Sequence, residues 1–339
     1  MKKILTILTF SAFTALSLLA EDSEDEVVKK VNESYAVIAE QASKVIIENT
    51  TILNVTPDAY IGKLVKSIPP HFSVAYNLSG TLMDTGAITD GLQVLFTSIK
   101  GSTESVDGTI DLATSLPKTI PLPAASLKFR IGGIFLPLDF GGFFNSTIPG
   151  TIRDVRISDY EFSLDYITFG GDIRLALMQG SLILPQISLG AGYVFQYQAL
   201  HFGFTHEYNY DLTSGNPQTG NLSTASSFQI QTNTIFLTAQ ISKQFGITIP
   251  FFGVREMLTQ YNDEFNWYYN LTKADGTKFE DDSKNGDATL TKDFDFTNLQ
   301  TQLFGGLTLT AGHFELCLAV SWNIMTNYFT GAVTAGFKM

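Results

Sequence analysis

The segment FTGAVTAGFKM, residues 329–339, decides how this chain is read. Phe329, Gly331, Val333, Ala335, Phe337 and Met339 alternate with Thr330, Ala332, Thr334, Gly336 and Lys338. Successive side chains of a strand point to opposite faces, so this strand has one apolar face and one polar or small face. It looks like the closing strand of a membrane β-barrel. The segment before it repeats the pattern: Phe314, Leu316, Leu318, Val320, Trp322 and Ile324 interleave with Glu315, Cys317, Ala319, Ser321 and Asn323.

Composition agrees. Hydrophobic residues make up 44% of the chain, charged residues only 16%, and glycines number 28. A soluble domain carries about 25% charged residues. In a barrel wall the alternation of apolar and polar residues hides the membrane surface from a hydropathy average, which resolves the contrast. The formal net charge of -12 offers no basic stripe to neutralise phosphates, so nucleic acid is not expected as a partner. With a single cysteine, Cys317, there is no disulfide framework, and its inward phase marks it as a small filler.

Residues 1–20 read as a secretory signal peptide: Lys2 and Lys3, an apolar run from Ile4 to Leu19, then Ala20 before an acidic stretch. Residues 21–68 follow as an amphipathic helix and linker. Val27, Val28, Val31, Tyr35, Ile38, Ala42, Val45 and Ile46 fall at steps of three and four, and Ser23 with Glu26 forms a capping box. Such a stripe needs a surface to cover, so the helix is expected to plug the barrel, to pack at its periplasmic mouth or to pair with another copy.

After Pro69-Pro70 the period becomes two, and residues 69–339 read as the barrel. Strands are expected at 72–83, 125–135, 138–144, 166–177, 187–197, 228–245, 249–261, 303–311, 314–324 and 329–339. The fold class is therefore all-β: an antiparallel transmembrane β-barrel of about ten strands preceded by an N-terminal amphipathic helix. Twelve strands is the alternative, if 91–99 and 106–113 pair as strands; 91–99 also suits a helix folded inward. Counting backwards from Met339, the connections at 312–313, around 246, at 179–185 and at 136–137 are short, while four of the five at the other end, 84–124, 148–165, 203–227 and 262–302, are long. Short periplasmic turns and long outer loops give that asymmetry. Tyr193, Tyr197, Trp322 and Tyr328, with Trp267, Tyr268 and Tyr269, are placed as an interfacial aromatic girdle.

The same phase puts Lys128, Arg130, Asp139, Asp172, Arg174, Gln196, Gln240, Glu315, Asn323 and Lys338 on the inward face. These are the candidate lumen-lining residues. Charges inside a barrel either tune the selectivity of a pore or lock a small lumen shut with ion pairs. Asp172 and Arg174 are expected to face Gly190 and Gly192 across the 179–185 turn, leaving space beside the charges. His71, His201, His206 and His313 fall at strand ends or in loops, and neither a G-x-S-x-G elbow nor an H-E-x-x-H site is present. No catalytic residue, metal site or cofactor is expected.

The strings IPPHF (68–72), LKFRIGGIFLPLDF (127–140) and ITFGGDIRL (167–175) resemble outer-membrane β-barrel proteins of spirochaetal type. A fainter similarity is to the fatty-acid transporter family of outer-membrane barrels, through the helix that precedes the barrel. That family has more strands, carries a hatch motif this chain lacks, and usually ends in an aromatic residue where this chain has Met339. The resemblance implies residence in a bacterial outer membrane, contact with its lipid, and engagement of the barrel-assembly machinery through the C-terminal strand. It implies passage or binding of small solutes, hydrophobic ones included. The alternative is a closed barrel that displays its outer loops for adhesion.

Overall fold

The computed structural model describes residues 47, 56–58, 71–84, 86, 119–133, 137–146, 155–157, 160–178, 183–210, 218–272, 284–294, 296 and 299–339. Its strands are β1 (His71–Asp84), β2 (Thr119–Gly132), β3 (Leu138–Ser146), β4 (Val155–Ile157), β5 (Tyr160–Met178) and β6 (Gln186–Tyr210). They continue with β7 (Gln218–Ser242), β8 (Thr248–Thr272), β9 (Lys284–Lys292), β10 (Gln300–Ala311), β11 (Phe314–Asn323) and β12 (Tyr328–Lys338). Ten of them form a closed antiparallel barrel in the order β1, β2, β3, β5, β6, β7, β8, β10, β11, β12 and back to β1. β4 and β9 stay off the ring, paired with β5 and β8 respectively.

Closure rests on the alternating strand at the C-terminus. β12 pairs with β1 from Ser73↔Lys338 to Thr81↔Thr330, and the Met339 amide donates to the Phe72 carbonyl at 2.9 Å. An unpaired strand edge inside hydrocarbon would leave every N–H and C=O unsatisfied, which lipid does not tolerate. The twelve-strand alternative is corrected here. β1 pairs directly with β2 from His71↔Gly132 to Asp84↔Thr119, so no further strand fits between them. Residues 91–99 and 106–113 lie outside the described residues, as do the signal peptide expected over 1–20 and most of the helix and linker expected over 21–68; Ile47, which is described, is helical and buried.

The two faces separate as alternation requires. Val320 is 65% exposed while its neighbour Ser321 is 3% exposed. Leu78, Phe129, Phe169, Leu237, Phe252 and Val333 are exposed in the same way around the ring. Soluble monomers rarely expose contiguous apolar patches above a few hundred Å². This wall is apolar on every side, and the molecule is a membrane barrel. At one end the ring is closed by tight turns in which Gly246 and Gly312 adopt φ of 60° and 61°, a region costly for other residues.

At the other end the strands run far beyond their expected limits. β6, β7 and β8 have 25 residues each, although about 10 suffice to cross a membrane. The loops expected at 203–227 and 262–302 are therefore largely strand, and β9 lies within the second of them. Beyond the lipid the outward face of a strand meets water and no longer needs apolar residues, so backbone pairing continues while the alternation that reveals it stops. The girdle needs one correction: Trp267 is buried on the inward face, stacked on Phe265 at 5.2 Å, while Tyr268 beside it is exposed.

If the outward face meets lipid, Val333→Arg, at the middle of β12, should lower the unfolding free energy in lipid vesicles by about 2–4 kcal/mol. A change within the roughly ±0.5 kcal/mol usual for exposed positions of soluble proteins would contradict that assignment.

Candidate functional site in the lumen

Three adjacent strands bring their charges together at the short-turn end. The register Gly132↔Asp139 between β2 and β3 sets Asp139 one step from Arg130, and Asp139↔Arg174 between β3 and β5 sets it beside Arg174. Asp139 is fully buried and accepts from both guanidiniums. Arg174 embraces it with two parallel bonds, Nε to Oδ1 and Nη2 to Oδ2, each 3.1 Å. Arg130 completes the cluster by donating through Nη2 to Asp172 Oδ1 at 2.9 Å. Charge-assisted, two-pronged bonds of this kind fix the guanidinium plane as well as its position.

Glycine makes the room. Gly141 pairs with Asp172, and a Cβ there would strike both the Asp172 carboxylate and the Arg130 guanidinium. Gly190 pairs with Arg174, and a Cβ there would lie 2.8 Å from Arg174 Cγ. Gly192 pairs with Asp172 but yields its space to the Phe236 ring.

A non-strand segment occupies the lumen beside these arginines. Asp58 Oδ1 lies 2.9 Å from Arg174 Nη1, and Asp58 Oδ2 lies 3.8 Å from Arg130 Nη2. The Asp58 carbonyl accepts from Gln240 at 3.1 Å and from Arg174 at 3.3 Å, and Lys128 donates to the Thr56 carbonyl at 2.9 Å. Among the described residues, a cavity of about 50 Å³ lies beside residues 56–58 and these charges. One water needs about 10–15 Å³ on this measure, so a few waters fit and a solute does not. Phe143, Phe236, Thr238 and Cys317 line it beside the charges.

The candidate residues fall into groups. Lys128, Arg130, Asp139, Asp172, Arg174 and Gln240 meet at this one place. Glu315 also lines the cavity and pairs with Lys338 at 3.6 Å. Gln196 stands apart: it is buried on β6, bonded to Gln198 at 2.9 Å, six residues and roughly 20 Å along the strand from Gly190. Asn323 shapes the turn into β12, its Oδ1 accepting from the Met325 and Thr326 amides at 3.0 and 3.3 Å. It is buried but takes no part in the charge cluster.

Two residues of the site escape the sequence reading. Arg255 is buried, lies over the Phe236 and Phe304 rings at 5.3 and 5.0 Å, and donates to Gln302 at 2.7 Å. Its signal was its phase with Phe251 and Gly253 in β8. Asp58 gives no such signal, because Thr56-Pro57-Asp58 belongs to no alternating run.

No protein-family model matches the chain, and no curated protein matches its sequence. Among solved structures it is similar to the translocator domain of the autotransporter NalP from Neisseria meningitidis, at 7% identity and a TM-score of 0.30, covering 91% of this chain and 98% of that one. It is also similar to the outer membrane protease OmpT from Escherichia coli, at 10% identity and a TM-score of 0.34, covering 81% and 98%. The toluene transporter TbuX of Ralstonia pickettii matches at 9% identity and a TM-score of 0.23, covering 79% and 88%. Likenesses this distant carry no argument about what the chain does.

Asp139→Asn would leave two buried guanidiniums without their shared carboxylate and should destabilise the barrel by about 3–5 kcal/mol. Asp58→Asn, outside the wall and 25% exposed in its side chain, should cost under about 1 kcal/mol. Urea unfolding in lipid vesicles, followed by tryptophan fluorescence, measures both; equal effects would show that the wall network depends on Asp58.

Proposed function

We propose that the protein is an outer-membrane barrel that passes small solutes and is closed at its short-turn, periplasmic end by the segment around Asp58. One observation carries the reading: residues 56–58 lie inside the lumen, held by ion pairs and hydrogen bonds to Arg130, Arg174, Gln240 and Lys128. Contacts of that kind exchange with water, whereas an apolar plug would be held by burial. A closed ring of ten antiparallel strands with a lipid-facing belt supports residence in an outer membrane, the setting in which such barrels occur. Export by the signal sequence of residues 1–20 belongs to the same proposal.

A second reading has its own support. The extensions of β6, β7 and β8, continued by β9, form a sheet standing well clear of the lipid. That sheet suits a surface displayed for adhesion.

Planar-bilayer conductance separates the two. The refolded protein should be nearly silent, and Asp58→Ala or deletion of residues 21–65 should produce or enlarge discrete conductance steps. A barrel that stays silent in all three forms would defeat the transport reading and leave display.

A further inference from the structure

We propose that the Arg130–Arg174 pair is a carboxylate-binding site that Asp58 occupies as an internal ligand, and that a small monocarboxylate anion takes it when the segment withdraws. The inference rests on the proposed gating, since the site is free only when residues 56–58 leave.

The geometry is that of a receptor built before its ligand arrives. Both arginines are fixed by the wall itself. Asp139 holds Arg174 through Nε and Nη2, at 3.1 Å each, and Asp172 holds Arg130 through Nη2 at 2.9 Å. Arg174 presents Nη1 to the lumen, and there it meets Asp58 Oδ1 at 2.9 Å. Both guanidiniums keep their wall carboxylates without Asp58, so its departure leaves Arg174 Nη1 still oriented toward the lumen beside Arg130. Guanidiniums fixed in plane and position recognise a carboxylate with little ordering cost.

The surroundings narrow the class. Gln240 and Lys128, which now hold carbonyls of the segment, are neutral and cationic donors suited to the oxygens of an anion. The rest of the cavity wall includes Phe143 and Phe236, with Gly190 beside Arg174 keeping the approach open. An acid with one carboxylate and a compact apolar body matches both parts. A phosphate or a dicarboxylate would bring its extra charge against Asp172 and Asp139, which lie within the same cluster.

Benzoate is a suitable probe and benzamide its neutral isostere. Equilibrium dialysis of labelled benzoate would use the full-length protein in detergent micelles, as wild type and as Asp58→Ala. Folding is checked by the mobility shift of the barrel on unheated gels. Removing the internal ligand should tighten benzoate binding by about tenfold or more, because a competitor that occupies the site lowers apparent affinity by the fraction it fills. Benzamide should gain nothing, and Arg174→Gln in the Asp58→Ala background should return benzoate to the wild-type value. Equal benzoate affinity in wild type and Asp58→Ala, or equal gains for benzamide, would overturn the site. Conductance tells this failure from that of the gate. Steps that grow in Asp58→Ala without tighter benzoate binding refute the carboxylate site and keep the gate. Tighter benzoate binding in a silent barrel keeps the site and refutes passage.

Discussion

Asp139 is the constraint around which the lumen is organised. A carboxylate with no exposed surface, inside a membrane-spanning wall, survives as an anion only with cations bound directly to it. Desolvating such groups costs several kcal/mol per ion, and only close, well-directed pairing returns it. Two arginines from the flanking strands supply that pairing. This sets the register of β2, β3 and β5, since a slip of one residue would turn Arg130 or Arg174 into the lipid. It also accounts for Gly141 and Gly190, where any side chain would displace a charged partner. β2 and β3 pair as far as Gly132↔Asp139, which keeps Arg130 and Asp139 at nearly one height.

The wall network is self-sufficient, and that defines the standing of Asp58. Its side chain is 25% exposed and reaches one arginine closely and the other at 3.8 Å. Ion pairs with access to water contribute about 0–1 kcal/mol, whereas breaking the buried Asp139 cluster costs several times that. The difference decides the character of the plug. Among the described residues the segment is held by a partly exposed carboxylate and a few carbonyl bonds, contacts weaker than those of the frame that receives it. Sites held on rigid strands with supported side chains keep their geometry when a ligand leaves.

Much of this was legible in the residues, and what was not has a physical cause. The ten ring strands and their inward and outward faces follow from alternation, because lipid on one side imposes it residue by residue. The pairing of Asp172 and Arg174 with Gly192 and Gly190 was also readable, since a short turn fixes register across β5 and β6. Alternation fails where lipid ends, which is why β9 and the far halves of β6, β7 and β8 read as loops. It misleads at Trp267, where an aromatic residue near a strand end looks like an interfacial anchor but stacks inward on Phe265. Asp58 was out of reach because its position depends on where a non-strand segment docks, and no local period encodes a tertiary contact.

The two ends of the lumen differ in chemistry, and the difference follows from how each is built. At the short-turn end the strands are tied by tight turns, side chains are held to fixed places, and charges can be paired closely enough to be buried. Toward the long-strand end aromatic and aliphatic residues join the polar ones on the inward face: Phe228, Phe265 and Trp267 stack on one another, with Ile230, Leu200 and Asp263 buried nearby. Apolar packing tolerates the slack of long, projecting strands, because burial depends on area and little on angle, while a two-pronged ion pair does not. The charged cluster therefore sits where the backbone is most tightly constrained. The segment that closes the lumen precedes β1, which begins at that same end, so the plug and its receptor are neighbours by topology.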